Sequence, residues 1–267
     1  MSAKINEVST ESILLREDTN GICTLTLNRP KQYNALSSDL LVELQNALDD
    51  ISQNDKVRVV IIAANGKAFC PGHDLKEMRS SEDKSFHEEL FNQCGKLMLT
   101  INQIPQPVIA QVHGIATAAG CQLVANCDLA VASKDARFAV SGINVGLFCS
   151  TPAVPLSRNM PRKQAMQMLL TGDFMSAKKA LKFGLVNDVV KAEELQQTTM
   201  KLAEKIATKS SLAISLGKNM FYKQLSMDLS EAYSYAAEKM ACNMDSADAR
   251  EGIDAFIEKR KPQWKGQ

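Results

Sequence analysis

The sequence lacks glutamate over a long central interval. No glutamate lies between Leu90 and Ala192, although the chain of 267 residues contains 30 acidic residues. The same interval holds ten lysines and arginines against four aspartates, whereas the whole chain carries a net charge of only +1. This basic bias fits an anionic small-molecule ligand or an acidic neighbouring subunit, and it equally fits a solvated surface. No glutamate is available there as a general acid or base.

Several other features are scarce or missing. The seven cysteines are odd in number and never spaced as Cys-x-x-Cys, which indicates reduced thiols, and the three histidines lie far apart. We therefore expect no metal site, and we expect no nucleic-acid partner. Every apolar run is interrupted before it could cross a bilayer, so no membrane span is expected. No targeting peptide is visible in residues 1–16.

Hydrophobic periodicity predicts an α/β protein. A hairpin is predicted over residues 13–28, and a nearly continuous β-branched run is typical of a strand covered on both faces. Helices capped by serine or stopped by proline separate the predicted strands, which implies right-handed crossovers in a layered core. The predicted strands after the hairpin cover residues 57–64, 107–112 and 128–133, and the predicted helices begin near Ser37, Phe86 and Ala118.

The pattern changes after about Val190. Four consecutive helical segments, centred near residues 202, 216, 236 and 256, follow without another predicted strand. We therefore predict a core over residues 1–193 and a helical C-terminal domain over residues 194–267, to which the family resemblance given below adds a role in oligomerisation. The apolar faces of these helices need a covering surface, either on the core or on another subunit.

Two loops are built to present backbone N–H groups to a ligand. In residues 67–78, Pro71 and Gly72 force an irregular turn and leave the following N–H groups free. In residues 114–122, small residues open a helix whose first N–H groups have no partner within the helix. Two such donors aimed at one point form an oxyanion hole, which stabilises enolate or tetrahedral oxygen. A dinucleotide site is not favoured, because the Gly-x-Gly-x-x-Gly spacing is absent.

The chain resembles the crotonase (enoyl-CoA hydratase/isomerase) superfamily. The resemblance covers residues 13–264 and rests on motifs in the segments 28–36, 67–78, 107–114, 127–132, 170–173 and 180–186. It implies a crotonase spiral of ββα units with a C-terminal helical trimerisation domain. It also implies a homotrimer or a dimer of trimers, and a mitochondrial location. The ligand it implies is an acyl-CoA thioester, with coenzyme A as part of the substrate and no separate cofactor.

The resemblance also assigns site residues. It places the thioester oxygen between the N–H groups of His73 and Ala119. The implied coenzyme A region comprises Ala35, Leu36, Asp74, Leu75 and Lys76. Phosphate contacts from a neighbouring subunit are implied for Lys259, Arg260 and Lys261, a charge run that is equally consistent with a solvated C terminus.

The departures from the family pattern concern the chemistry. The two glutamates that hydratases of the family use fall on Gln122 and Gly142, and neither residue can titrate. Each positioned acid or base contributes roughly 10²–10⁴ in rate, so hydratase activity should be nearly lost. Ala118 and Ala119 replace the usual glycines, and helical backbone angles there would tolerate alanine. Cys149 and Ser150 enter the pocket region where hydratases carry a glycine-rich turn.

We therefore expect an acyl-CoA-binding protein of mitochondrial fatty-acid metabolism that is not an efficient enoyl-CoA hydratase. One alternative is an acyl-CoA lyase, decarboxylase or thioester hydrolase that needs only the oxyanion hole, because a malonyl-type substrate generates its own enolate. The other alternative is a non-catalytic scaffold with a vestigial pocket. We expect Gln122 to face the acyl group, with the alternative that its amide only satisfies neighbouring backbone groups.

Overall fold

The computed structural model describes residues 12–267. Ten strands form two sheets in this part of the chain. The larger sheet has the order β1-β2-β3-β5-β7-β10, and the smaller has the order β4-β6-β8-β9. The strands are β1 Leu14–Thr19, β2 Ile22–Leu27, β3 Val59–Ala64, β4 Ala68–Cys70, β5 Val108–Val112, β6 Ile115–Thr117, β7 Leu129–Ser133, β8 Arg137–Ala139, β9 Met175–Ser176 and β10 Asp188–Val190.

Eleven α-helices occupy much of the rest of residues 12–267. They are α1 Ser38–Ser52, α2 Leu75–Arg79, α3 Lys84–Gln103, α4 Ala119–Asn126, α5 Ser150–Asn159, α6 Arg162–Thr171, α7 Ala177–Lys182, α8 Leu195–Ala207, α9 Ser211–Gln224, α10 Leu229–Met244 and α11 Ala247–Ile257.

The two sheets are linked by a repeated ββα unit. The pairs β3-β4, β5-β6 and β7-β8 each place the first strand in the larger sheet and the second in the smaller one, before the chain continues into helices. β4, β6 and β8 run parallel as neighbours in the smaller sheet. The carboxyl ends of these three strands therefore meet at one edge, and the loops that follow them are brought together there.

The larger sheet is buried on both faces. In β3, Val59, Val60, Ile61 and Ile62 are almost fully inaccessible, with alternate residues belonging to two hydrophobic clusters. One cluster includes α1 and α3, and the other is closed by α8. This arrangement confirms the prediction of a strand covered on both faces.

The longer predicted elements are confirmed. The β1-β2 hairpin turns at Asn20 and Gly21, both at positive φ, which suits a tight turn between twisted strands. Ser37 caps α1 by accepting a hydrogen bond from the N–H of Leu40 at 3.3 Å. The helix predicted from Phe86 begins at Lys84, and the four C-terminal helices are present as α8 to α11.

The first of those helices, α8, packs on the larger sheet, while α9 is fastened to the core by a buried ion pair. Lys218 Nζ contacts Asp128 Oδ2 at 2.7 Å, and it also donates to the carbonyl groups of Ile101 and Gln106. Tyr222 donates to the other oxygen of Asp128. Among the described helices, none combines the length and apolar character needed to span a bilayer.

Candidate active site

A cavity of about 480 Å³ opens at the edge where β4, β6 and β8 end. Seven of the residues predicted for the site line it, namely Ala35, His73, Leu75, Ala119, Gly142, Cys149 and Ser150. The other lining residues are Pro71, Met78, Phe91, Ala118, Ser141, Val145, Leu147, Phe148, Thr151 and Pro152. No carboxylate stands among these residues, so the wall is mainly apolar with a few hydroxyl, thiol and imidazole groups.

The N–H group of His73 is left free by a strand bridge. Leu36 and His73 form a parallel bridge in which the Leu36 N–H bonds the carbonyl of Gly72 and the Asp74 N–H bonds the carbonyl of Leu36. In a parallel bridge of this kind, the hydrogen bonds are made by the two residues on either side of His73. The N–H of His73 itself therefore points away from Leu36. His73 lines the cavity, so this donor is available there.

The N–H group of Ala119 is the second donor. α4 begins at Ala119, whose N–H belongs to the first turn and has no helical partner. The side chain at the preceding position, Ala118, makes no capping hydrogen bond. The predicted donor is therefore placed in the same cavity as His73.

The backbone at Ala118 corrects the sequence analysis. Helical angles were expected there, but Ala118 has φ of 47° and ψ of −122°, a region that favours glycine. Its N–H donates to the carbonyl of Ala139 in the neighbouring strand β8, which holds the chain in a turn rather than in the helix. The helical expectation holds only from Ala119 onward.

Close backbone contacts hold the two donor loops together. A Cβ on Gly120 would lie 2.1 Å from the carbonyl oxygen of Cys70, so only glycine lets α4 approach β4 so closely. Gly72, at φ of +103°, lies so near the second loop that a Cβ there would be 3.0 Å from the N atom of Ala119. Thr117 Oγ1 adds a hydrogen bond of 2.8 Å to the carbonyl of Pro71.

The imidazole of His73 packs against Phe91 in an edge-to-face arrangement with ring centroids 5.4 Å apart. Both ring nitrogens are buried and have no hydrogen-bond partner among the described residues. Burial lowers the pKa of His73 below its ordinary value, because the charged form loses hydration. The ring is therefore neutral near pH 7.

Gln122 lies on α4 one turn beyond Ala119. It is only 3% exposed and is not among the residues that line the cavity, in contrast with the expectation that it faces the acyl group. The reason is its depth, since the first turn of α4 forms the wall and the next turn lies in the core. Its Oε1 is buried without a hydrogen-bond partner in the described part of the chain.

Gly142 lines the cavity, but the space beside it is filled. A Cβ on Gly142 would lie 2.6 Å from the carbonyl oxygen of Leu147 and 2.8 Å from Cys149 Sγ. The Gly142 N–H donates to this sulfur at 3.3 Å. The Cys149 thiol thus occupies the space beside Gly142, the second position that the family resemblance aligns with a hydratase glutamate. Burial raises the pKa of the Cys149 thiol.

The residues predicted for coenzyme A fall into two groups. Ala35 and Leu75 line the cavity, whereas Leu36 is buried in the bridge to His73. Asp74 caps α2 and pairs with Arg29 at 3.3 Å, so it fixes the loop, and Lys76 is exposed in the first turn of α2.

The three C-terminal cations follow α11 and do not line the cavity of the single chain. Lys259 and Lys261 are exposed. Arg260 is held by Glu251 at 2.6 Å and by Glu258 at 2.5 Å, so two carboxylates already neutralise its charge.

The apolar lining residues that the sequence analysis missed include Met78, Phe91, Val145 and Pro152. Phe91 could have been found, because it is a large aromatic residue beside the core-facing stripe of α3 and not on it. The other three carry no signal that distinguishes them from ordinary surface or core residues. In residues 12–267, no group of three or more histidine, cysteine or acidic side chains is arranged to hold a metal ion.

The fold agrees with the similarity of the chain to known proteins. The sequence profile described as enoyl-CoA hydratase/isomerase matches residues 17–267. The chain therefore belongs to the enoyl-CoA hydratase/isomerase family, and its fold is the crotonase fold that the sequence predicted.

Individual relatives are similar over nearly the whole chain. Enoyl-CoA hydratase domain-containing protein 3, mitochondrial, from Homo sapiens is 50% identical over 246 residues, which are 92% of this chain and 81% of that protein. The crystal structure of the human protein superposes with a TM-score of 0.92 at 47% identity, covering 95% of this chain and 100% of that one. The structure of an enoyl-CoA hydratase from Mycobacterium smegmatis has a TM-score of 0.94 at 54% identity, covering 95% and 99% of the two chains.

Proposed function

We propose that this protein binds acyl-CoA thioesters, with the thioester oxygen accepting hydrogen bonds from the N–H groups of His73 and Ala119. The observation that supports the proposal is that His73 and Ala119, whose N–H groups have no hydrogen-bond partner among the described residues, both line one cavity of about 480 Å³. Preorganised donors of this kind stabilise negative charge on a carbonyl oxygen at little reorganisation cost. The apolar wall formed by residues such as Leu147 and Phe148 suits an acyl chain.

Efficient hydration is not part of the proposed function. Adding water to an enoyl thioester requires a group that takes a proton from water and a group that delivers one to carbon. The cavity wall contains no carboxylate, Gln122 is a buried amide, and Gly142 has no side chain. We propose a role in mitochondrial fatty-acid metabolism, supported by the names of the similar proteins.

A second candidate is a reaction that needs only the N–H donors. In a decarboxylation, the electron pair of the breaking carbon–carbon bond forms the enolate, so stabilising the oxygen is the main demand. The absence of a carboxylate among the residues that line the cavity favours keeping this candidate, because a decarboxylation needs no such group to form the enolate. Release of carbon dioxide or free CoA from a panel of acyl-CoAs distinguishes it from binding alone.

Thermal unfolding with butyryl-CoA, CoA or no ligand tests the binding proposal. Saturation at a hundred times the dissociation constant stabilises a protein by about 2.7 kcal/mol, which raises Tm by several degrees. Val145→Arg places a charge in the apolar wall and should weaken the effect. Val42→Arg makes the same change on α1, outside the cavity, and should leave the effect intact.

The outcomes separate the candidates. A shift with butyryl-CoA that Val145→Arg reduces supports acyl binding in this cavity. The absence of any shift at saturating ligand leaves only the scaffold with a vestigial pocket. Rapid hydration of crotonyl-CoA that survives Gln122→Ala would overturn the claim that the carboxylates are needed. Gly142→Glu is unsuited as a rescue variant, since its Cβ would lie 2.6 Å from the carbonyl of Leu147.

A further inference from the structure

Arg29 connects the two chain segments that form the Leu36–His73 bridge, although it does not line the cavity. One terminal nitrogen, Nη1, donates to the carbonyl of Ala35 at 2.5 Å. The other, Nη2, donates to Asp74 Oδ2 at 3.3 Å. These acceptors belong to the residues next to Leu36 and His73, so Arg29 holds one side of the bridge on each segment.

The contact between Arg29 and Asp74 is largely shielded from water. The two side chains are 17% and 18% exposed, so their attraction is screened less than that of a surface pair. The planar guanidinium donates to two acceptors at once, which a lysine ammonium on a flexible stem cannot reproduce. The other oxygen of Asp74, Oδ1, accepts the N–H of Lys76 and caps α2. The carboxylate therefore has partners for both oxygens within the protein, and it does not line the cavity.

Asn34 fixes the backbone from which the Arg29 side chain extends. It is fully buried, and its Oδ1 accepts the N–H of Arg29 at 2.9 Å. Its Nδ2 donates to the carbonyls of Asn65 and Ala68 at 2.8 and 2.9 Å. Because Ala68 is the first residue of β4, the segment that carries Arg29 is joined to the strand that leads into the His73 loop.

We propose that Arg29 is a positioning residue that orients the N–H of His73 toward the thioester oxygen. The direction of this N–H depends on the bridge, because the hydrogen bonds made on either side of His73 fix the adjoining peptide planes. Removing the Arg29 contacts removes a link between the two segments, and a shift of about 1 Å is enough to misplace a donor. This role rests on the proposed function, since it concerns the donor that the proposed function assigns to His73.

Two variants remove the ion pair from opposite sides. Arg29→Gln removes the guanidinium, and Asp74→Asn removes the charged acceptor while keeping an oxygen that can cap α2. We expect each change to raise the dissociation constant of butyryl-CoA about tenfold. The double variant should bind little more weakly than either single variant, because both changes break the same pair. Arg29→Lys keeps the charge and should restore binding only in part.

The infrared band of an isotope-labelled butyryl-CoA carbonyl distinguishes positioning from a general loss of stability. In the bound fraction of Arg29→Gln and Asp74→Asn, the band should lie between the free frequency and that of the unmutated complex, because one of two donors is misdirected. A loss of stability alone lowers the amount of folded protein and leaves the bound frequency unchanged. Arg16→Gln is the matched control, since Arg16 also contacts aspartates, Asp18 and Asp50, and lies outside the cavity. It should change neither the dissociation constant nor the band.

The remaining outcomes separate this inference from the proposed function. Weaker binding with the band of the unmutated complex would assign Arg29 a general structural role and overturn the inference. Unchanged binding and an unchanged band in both variants would overturn it as well and leave the proposed function standing. A bound carbonyl at the free frequency in the unmutated protein would contradict the proposed function itself. Should Arg29→Gln fold poorly, Asp74→Asn and Arg29→Lys provide the same comparison.

Discussion

Ala118 and Ala119 are neighbouring alanines with different backbone conformations. Ala118 has φ of 47° and ψ of −122°, whereas Ala119 begins α4. We predict that Ala118→Gly raises the free energy of unfolding by about 1 kcal/mol, because it relieves positive-φ strain. Ala119→Gly should lower it by roughly 0.5–1 kcal/mol, because glycine gains flexibility in the unfolded chain. Denaturant titration measures both, and equal losses in the two variants would rule out strain at Ala118.

His73 should make stability depend on pH. Burial lowers its pKa in the folded state, so the unfolded chain takes up the proton more readily than the folded chain. The stability associated with the neutral ring is fully present above about pH 6.5, and it is lost as the pH falls through the lowered folded-state pKa. His73→Gln should therefore lose less stability than the unmutated protein on acidification, as followed by denaturant titration at several pH values.

His113→Gln is the matched comparison, because burial also lowers the pKa of His113, whose ring contacts the carbonyl of Gly66 outside the cavity. This variant should likewise lose less stability than the unmutated protein on acidification. Identical pH curves for the unmutated protein and His73→Gln would contradict a buried neutral ring.

Individual residues show which features of the site could be predicted from the sequence. The family resemblance placed the two donors at His73 and Ala119, and both residues line the cavity, whereas the Leu36–His73 bridge that frees the His73 N–H joins segments distant in sequence and could not be predicted locally. The contact between Gly142 and Cys149 could not, since it depends on how residues 141–149 fold back on themselves. The depth of Gln122 likewise depends on where the wall ends, which helical periodicity does not specify.

Among the elements, α4 and β4 approach each other so closely at Gly120 that no side chain fits between them. We predict that Gly120→Ala costs several kcal/mol or prevents folding, because its Cβ would lie 2.1 Å from the carbonyl oxygen of Cys70. Gly95→Ala, in the middle of α3, has open space around the added Cβ and should stabilise by roughly 0.5–1 kcal/mol. Thermal unfolding of the pair provides the comparison. A Gly120→Ala variant as stable as the unmutated protein would contradict the close approach.

Element length explains which parts of the fold were predictable. The β1-β2 hairpin, β3, α1 and α3 each carry several residues of one period, so their types and approximate bounds follow from the sequence. β4, β6 and β8 have three residues each, too few to establish a period. These short strands form the smaller sheet and place the site loops side by side. The geometry of the site therefore depends on the strands whose sequences show the least periodicity.

At the scale of the whole molecule, α9 to α11 leave apolar side chains uncovered in the single chain. We propose that a second and third copy cover them, giving the homotrimer or dimer of trimers implied by the family resemblance. The largest exposed examples are Phe221, Leu225, Leu229, Tyr233, Met240, Phe256 and Ile257. Large apolar side chains exposed in this number on neighbouring helices are typical of an interface.

Sedimentation equilibrium checks the assembly. The unmutated protein should have the mass of three or six chains, and Phe256→Glu should shift it toward smaller species, because Phe256 is 85% exposed in the single chain. Val42→Glu changes an exposed residue on α1 and should leave the mass unchanged. A monomeric unmutated protein would contradict the proposal. Lys259 and Lys261 could reach a neighbouring site only within such an assembly.

The central claim is that the cavity seats a thioester oxygen between two backbone N–H donors. The infrared difference spectrum of bound butyryl-CoA, with an isotope-labelled thioester carbonyl, tests it most directly. Two hydrogen bonds polarise the carbonyl, so the account predicts that its stretching band moves to lower frequency on binding. Val145→Arg should weaken binding. In the fraction of this variant that remains bound, the band should keep the lowered frequency. A bound carbonyl with the frequency of free butyryl-CoA would contradict the account.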